Sequence, residues 1–428
     1  MDSLLKRWWD EEEESDDDDL FVVGAILTGL KRKQSEKKFR GSLPGRHNVQ
    51  RGIQGGHQRL YLDYFAPQPV YNNKHFRRRF RMSKSLFLRI AAALEAHDEY
   101  FRQRPNAVGA LGGSPIQKAA AALKMLAYGV PADFLDEYVR LGESTIIECL
   151  QHFVRGVFDV FGEEYLRAPN VQDTQRLMAM NTARGFPGML GSVDCMHWRW
   201  DKCPTAWKGM YTGHKEGPTM ILEAVASHDL WIWHAFFGMP GSHNDINVLR
   251  RSPLFDRPTS GTAPQLEYTV NGNKYTMGYY LADGIYPTWA TFVKAFRNPQ
   301  GNKKVHFTAA QEAARKDVER AFGVLQLRFA MIRGPARIWS KEDLWYIMQA
   351  CVVLHNMIIE DEREDEDDFN YNQKGTVTKV LDPKDYEHRD PQLLEEFLKM
   401  HQEIEDKSTH EQLRNDLVEH LWAIHSSR

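Results

Sequence analysis

Residues 188–200 read GMLGSVDCMHWRW. Small and β-branched residues give way to aromatics without helical spacing, which predicts a strand that delivers one aspartate, Asp194, at its end. A buried charge there is costly unless partners hold it, so the fold turns on finding further carboxylates downstream. TMILEAVASH (219–228) and LWIWHAFFG (230–238) are two more strand-like runs, close enough to form a hairpin. GSHNDINVLRRSPLF (241–255) reads as a loop into a short helix, with Asn244 or Asp245 at its N-cap. YTMGYYLADGIYP (275–287) is a further strand, broken after Asp283 by Gly284 and Pro287. TAAQEAARKDVERAFGVLQLRF (308–329) is a long helix. Thr308 and Gln311 read as its capping box, and Ala314, Val318, Phe322, Leu325 and Phe329 form its apolar stripe.

Three strands, a helix, a strand and a later long helix predict an α/β fold with a mixed sheet. That is the element order of a ribonuclease-H-like core, in which the first and fourth strands lie side by side. Asp194 and Asp283 would then converge at one sheet edge, and the long helix would bring Glu319 to them. Three carboxylates in one place repel unless cations hold them. Oxygen donors in that number suit Mg2+ or Mn2+, and two such ions would serve phosphodiester chemistry. Asp245 is a fourth candidate ligand on the same face. Lys208, His214 and Lys215 follow the first strand, and Arg315, Lys316 and Arg320 flank Glu319. All six are candidates for contacts to DNA phosphates. Trp198 is expected to pack under the sheet, and His355 and Asn356 to organise the core.

Working outward, the 428-residue chain carries a net charge of −3 and is 42% hydrophobic. It is therefore no general polyanion binder, and any nucleic-acid contact must use local basic patches. The four cysteines, Cys149, Cys195, Cys203 and Cys351, have no paired spacing, which fits a reducing compartment. Cys195 and Cys203 lie near His197 and His214, but zinc-site spacings such as CxxC are missing. No apolar run approaches the roughly twenty residues of a membrane-spanning helix, and no membrane partner is expected.

Residues 10–19, DEEEESDDDD, are acidic at every position but Ser15. With the basic stretch KRKQSEKKFR (31–40), they predict a disordered acidic and basic arm over 1–70. That stretch and a second cluster, KHFRRRF (74–80), are each candidates for a nuclear import signal or a phosphate-contacting arm. An all-helical, helix-turn-helix-like domain is expected over 75–180. It would hold a helix capped by Ser83, a break at Gly129–Pro131, a turn at Gly142 and a long helix capped by Ser144. That last helix has little positive charge for groove recognition. The nuclease-like core would span 185–360. An acidic linker and an amphipathic helical tail would fill 361–428.

As an ordered set, GSVDCMHW, KGMYTGHK (208–215), PGSHNDINVL (240–249), LADGIYP, DVERAFGVLQLRF and CVVLHNMIIE (351–360) resemble the PIF/Harbinger transposase superfamily, most of all its plant Pong-like branch. The resemblance implies a DDE nuclease acting in cut-and-paste DNA transposition. Asp194 matches the first family aspartate and Glu319 the glutamate, while Asp245 and Asp283 both match acidic family positions. It further implies transposon terminal inverted repeats and target DNA as substrates, a Myb-like accessory protein as partner, a homodimer, and a nuclear location. Two other functions fit the same residues: a domesticated transposase-derived regulatory or chromatin protein, and a metal-dependent repair nuclease.

Overall fold

The computed structural model describes residues 49–106, 109–259, 263–364, 379–381 and 401–427. The acidic block at 10–19 and the basic stretch at 31–40 lie outside the described residues, as do 365–368 of the second acidic run. Helical structure begins thirty residues before Ser83. Helix α1 spans Ile53–Tyr64 and α2 spans Asn73–Phe80. The run KHFRRRF is thus no arm: Asn72 caps it by accepting from the His75 N–H, and Phe76 and Phe80 are buried in it. Their rings stack with centroids 4.4 Å apart, amid Tyr64, Phe65 and Phe87. That aromatic cluster is hidden in the sequence because polar residues dominate the local composition.

Helix α3 (Lys84–His97) is capped by Ser83, as expected. Helix α4 (Pro115–Tyr128) begins with a complete Ser114–Gln117 capping box. Gly129 then turns the chain in the left-handed region, at φ 64°, into α5 (Ala132–Val139). Helix α6 (Glu143–Tyr165) is capped by Gly142 rather than Ser144. This helix, the recognition helix of a helix-turn-helix reading, is instead a core helix. It buries Ile146, Leu150, Phe153, Val154 and Val157. Its exposed face bears Glu143, Glu148, Asp159, Glu163 and Glu164, the wrong sign for a phosphate backbone. Helix α7 (Val171–Ala183) leads into the sheet.

Strands β1 (Met189–Arg199), β2 (Thr219–Ala226) and β3 (Ile232–Pro240) form an antiparallel meander. Helix α8 (Asp245–Leu249) comes next in the chain. Strands β4 (Gln265–Val270) and β5 (Asn273–Tyr275) then form a hairpin. Strand β6 (Tyr279–Ala282) returns beside β1 in parallel, and β7 (Phe292–Lys294) lies parallel beyond it. The five-stranded order is β3–β2–β1–β6–β7, so the first and fourth strands of this sheet are neighbours as the ribonuclease-H-like reading requires. A second sheet joins β5, β4 and β8 (Lys379–Leu381).

Helix α9 runs over Asn302–Arg328, six residues earlier than expected, so Thr308 and Gln311 are interior residues and not a capping box. Helix α10 (Lys341–Glu364) packs along α6, joined by an Arg155–Asp343 ion pair at 2.8 Å and the Phe158–Trp345 ring contact. The C-terminal helix α11 (Lys407–Ser426) buries Leu413, Leu417, Val418 and Leu421. Its His410 Nδ1 lies 2.8 Å from the carbonyl of Phe292, so the tail covers the β7 edge. The described residues from Arg51 onward form one unit, with an apolar core running from α1 to the sheet. Among the described residues, no helix is long and apolar enough to cross a membrane.

Candidate active site

Strand β1 does not stop at Asp194. It continues to Arg199, paired with β2 throughout, with Asp194 opposite Ala224. Only its pairing with β6 stops, at Ser192 opposite Leu281. Two residues beyond that pair, one on each strand's course, lie Asp194 and Asp283. Because the strands are parallel, the aspartates come out alongside one another where β6 ends. The Asp283 carboxylate is fixed by a turn, its Oδ1 accepting the Ile285 N–H at 2.9 Å.

Side chains alternate across β1. Ser192 Oγ donates to the Ala314 carbonyl of α9 at 3.1 Å, so Ser192, Asp194 and Met196 face α9. Val193 and Cys195 face the other way, toward α8, with Leu249 and Val248. Asp245 is the first residue of α8, after the Asn244 cap. Asp245 therefore approaches from the opposite face of β1 to Glu319, not from the same one.

Arg315 connects the rest. Its guanidinium lies 3.3 Å from Asp194 Oδ2 and 2.8 Å from Glu319 Oε1. Burial pushes the Asp194 carboxyl up to about 6, against the Cys195 N–H and Arg315, while Asp245 and Asp283 add to the rise. Burial likewise raises Asp245, with Asp283 and Glu223 adding to it and the Cys195 thiol opposing. These aspartates thus feel one another as like charges, and all of the donors are oxygens, the chemistry of a hard-cation site. As they stand, no three such groups among the described residues are gathered closely enough to hold an ion. The positive charge between Asp194 and Glu319 is a guanidinium.

The remaining candidates divide. Lys208, His214, Lys215 and Lys316 are exposed. The His214 ring sits 4.9 Å from that of His197, and burial, His214 and Lys215 together drive His197 down to about 4. Arg320 is bound to Asp317 at 3.1 Å. Asp317 is buried and also holds Arg184 at 2.6 Å and His228 at 3.2 Å. Arg315 and Arg320, expected at DNA phosphates, are thus both engaged with carboxylates of the protein itself. Trp198 packs in the core, its Nε1–H donating to the Gly334 carbonyl.

Sequence reading missed Gln311, whose buried amide donates to the carbonyls of Ala282 and Val293 at 3.1 and 3.0 Å and ties β6 to β7 just before Asp283. It also missed the buried Glu223 behind Cys195. Glu223 is 3.3 Å from His234, which in turn contacts Ser252 after α8. Gln311, read as a capping residue, gave no local signal of its role. Glu223 had no local signal.

Comparison with known proteins points to transposon-related relatives. Residues 163–366 match the family model described as "Plant transposon protein", and residues 56–95 match a domain of unknown function. "Protein ALP1-like" of Arabidopsis thaliana is 24% identical over 323 residues, covering 71% of this chain and 77% of that protein. "Putative nuclease HARBI1" of Homo sapiens is 23% identical over 256 residues, covering 58% of this chain and 68% of that protein. No solved structure matches significantly.

Proposed function

From the premise that the chain belongs to a PIF/Harbinger-related transposase family, we propose that it is a DDE nuclease and strand transferase of a plant Pong-like element. Its substrates are the terminal inverted repeats of that element and its target DNA. It acts in the nucleus as a homodimer, beside a Myb-like protein that supplies terminal recognition. The observation that carries the reading is the level placement of Asp194 and Asp283 across the β1–β6 pair, with Arg315 and Glu319 of α9 laid against Asp194.

Asp194, Asp283 and Glu319 are the residues that would hold Mg2+ or Mn2+, with Asp245 as an accessory ligand or organiser of its loop. The ions, when bound, supply charge stabilisation at the scissile phosphate. In the first step a water oxygen displaces the 3′ oxygen of a phosphodiester, leaving a 3′-hydroxyl and a 5′-phosphate. In the second, that 3′-hydroxyl displaces the 3′ oxygen of a target phosphodiester and joins the strands. The protein's share is placement. The rigid β1 backbone fixes Asp194, and the turn at Ile285 fixes Asp283. Glu319, on the exposed side of α9, is held by Arg315. Lys208, His214, Lys215 and Lys316 line the approach as phosphate contacts.

The test is excision in cells from a non-autonomous element with matching ends, with the Myb-like partner supplied. Asp194→Asn, Asp283→Asn and Glu319→Gln should each abolish excision. Excision that survives Glu319→Gln removes that residue from the set. No excision by the unaltered protein, present in the nucleus, assigns it instead to the domesticated regulatory class.

A further inference from the structure

Arg315 makes two ion pairs, and both partners are candidate ion ligands, Asp194 at 3.3 Å and Glu319 at 2.8 Å. Its side chain is only 19% exposed. The pairing with Glu319 is an i,i+4 contact within α9. The pairing with Asp194 crosses from α9 to the sheet, and the Ser192–Ala314 bond next to it fixes the reach. Arg320 offers the contrast. Its partner Asp317 is buried and already satisfied by Arg184 and His228, an arrangement with no role for an incoming ion.

We propose that Arg315 is a resident counter-cation: it occupies the charge position between Asp194 and Glu319 until a divalent ion takes it, and a DNA phosphate draws it away. Ion binding and DNA binding are thereby coupled through one side chain. This inference rests on the nuclease reading of the site. Its physical basis is that a guanidinium satisfies carboxylates and phosphates with the same fork of donors. Exchanging one for the other therefore costs little, whereas a divalent ion cannot share the carboxylates with a guanidinium that stays in place. The free protein accordingly holds its ligands together without an ion, and DNA, by engaging Arg315, opens them to one. By linkage the ion must then favour DNA binding to the same degree.

The test measures Mn2+ binding to the full chain by electron paramagnetic resonance, with and without a short DNA duplex at low salt. Thermal melting reports folding of each variant. Without DNA, Arg315→Gln should bind Mn2+ about tenfold or more tighter than the unaltered protein, since a nearby unit charge is removed. Duplex should tighten Mn2+ binding by the unaltered protein and leave Arg315→Gln unchanged. Asp194→Asn should lose Mn2+ in both conditions. If Arg315→Gln binds no tighter while Asp194→Asn still loses the ion, the counter-cation role falls and the ion site stands. If no form binds Mn2+ with or without duplex, both fall. Should Arg315→Gln fail to fold, two measurements remain decisive. Arg315→Lys cannot bridge both carboxylates as a fork and should fall between. An unaltered protein whose Mn2+ affinity ignores duplex overturns the proposal by itself.

Discussion

Ser192 Oγ donates to the carbonyl of Ala314 at 3.1 Å, a bond between the fully buried centre of β1 and the helix position just before Arg315. It sets the register between the strand that carries Asp194 and the helix that carries Glu319. Ser192→Ala should cost about 1 kcal/mol of stability, the usual worth of one such bond. DNA cleavage should fall further, on the order of tenfold, because small displacements of reacting groups are costly. Urea denaturation and single-turnover cleavage, read side by side, check this. Lost stability with unchanged turnover would make the bond merely structural.

Gln311 spans β6 and β7 through two bonds from one amide nitrogen. Gln311→Met keeps the volume and orphans two buried carbonyls, so a loss of about 2–4 kcal/mol is expected. The turn at Asp283 hangs from the same strand end. Hydrogen exchange at the Ile285 amide should therefore quicken in the variant, and an unchanged rate would separate the strut from the turn.

The sheet order is legible in the sequence because three apolar runs joined closely, then a fourth run ending in Asp283, leave few topologies. The local cap at Ser83 is legible for the same kind of reason, since its chemistry lies within four residues. Other features depend on distant partners. Asp194 reads as a strand end because no local signal says that β6 stops while β2 continues. Arg315 reads as a phosphate contact because its partner Asp194 is far away in the chain. Helix α9 reads as starting at Thr308 because the preceding Lys303, Lys304 and His306 look like loop. Asp245 reads as sharing a face with Glu319, and the structure puts it on the other, because α8 packs against Val193 and Cys195 through its apolar residues.

Asn356 is a buried strut, its amide donating to the carbonyls of Tyr165 and Ile232 at 2.7 Å each and accepting the Ile232 N–H at 2.9 Å. It joins α10, α6 and β3. Asn356→Ala should destabilise by about 3 kcal/mol or more. Ion binding at low temperature, where the variant is still folded, should be unaffected. Loss of Mn2+ binding by a folded Asn356→Ala would instead tie it to the site.

His355 is fully buried and is driven down to about 3 by burial, with Arg328 adding to the effect. Its Nε2–H donates to the Leu230 carbonyl and its Nδ1 accepts from Arg328, a pattern only the neutral ring can make. Released in the unfolded chain it titrates near 6.5, so between there and pH 3 the unfolded state binds the extra proton. Stability from this group is therefore complete above 6.5 and lost as pH falls. His355→Gln can keep both bonds without a titrating ring. Its melting temperature should fall less than that of the unaltered protein between about pH 7 and about pH 5, and parallel falls would refute the assignment.

Asp283 and Asp245 both raise the Asp194 carboxyl, yet they stand in different places. Asp283 lies alongside Asp194 at the end of β6. Asp245 lies beyond β1, on the face of Cys195, and that thiol opposes the rise of its carboxyl. A ligand on the face shared with Glu319 should matter more to phosphoryl chemistry than one reached around the strand. Asp283→Asn should lower single-turnover cleavage by about 100-fold or more, the scale of losing one preorganised electrostatic group. Asp245→Asn should lower it by roughly tenfold, through displacement of its loop. Mn2+ titration of both variants separates binding from placement. Asp283→Asn should weaken the ion, and Asp245→Asn should leave its affinity close to that of the unaltered protein. Equal losses in both measurements would put Asp245 into the ligand set, and a reversed order would exchange their roles.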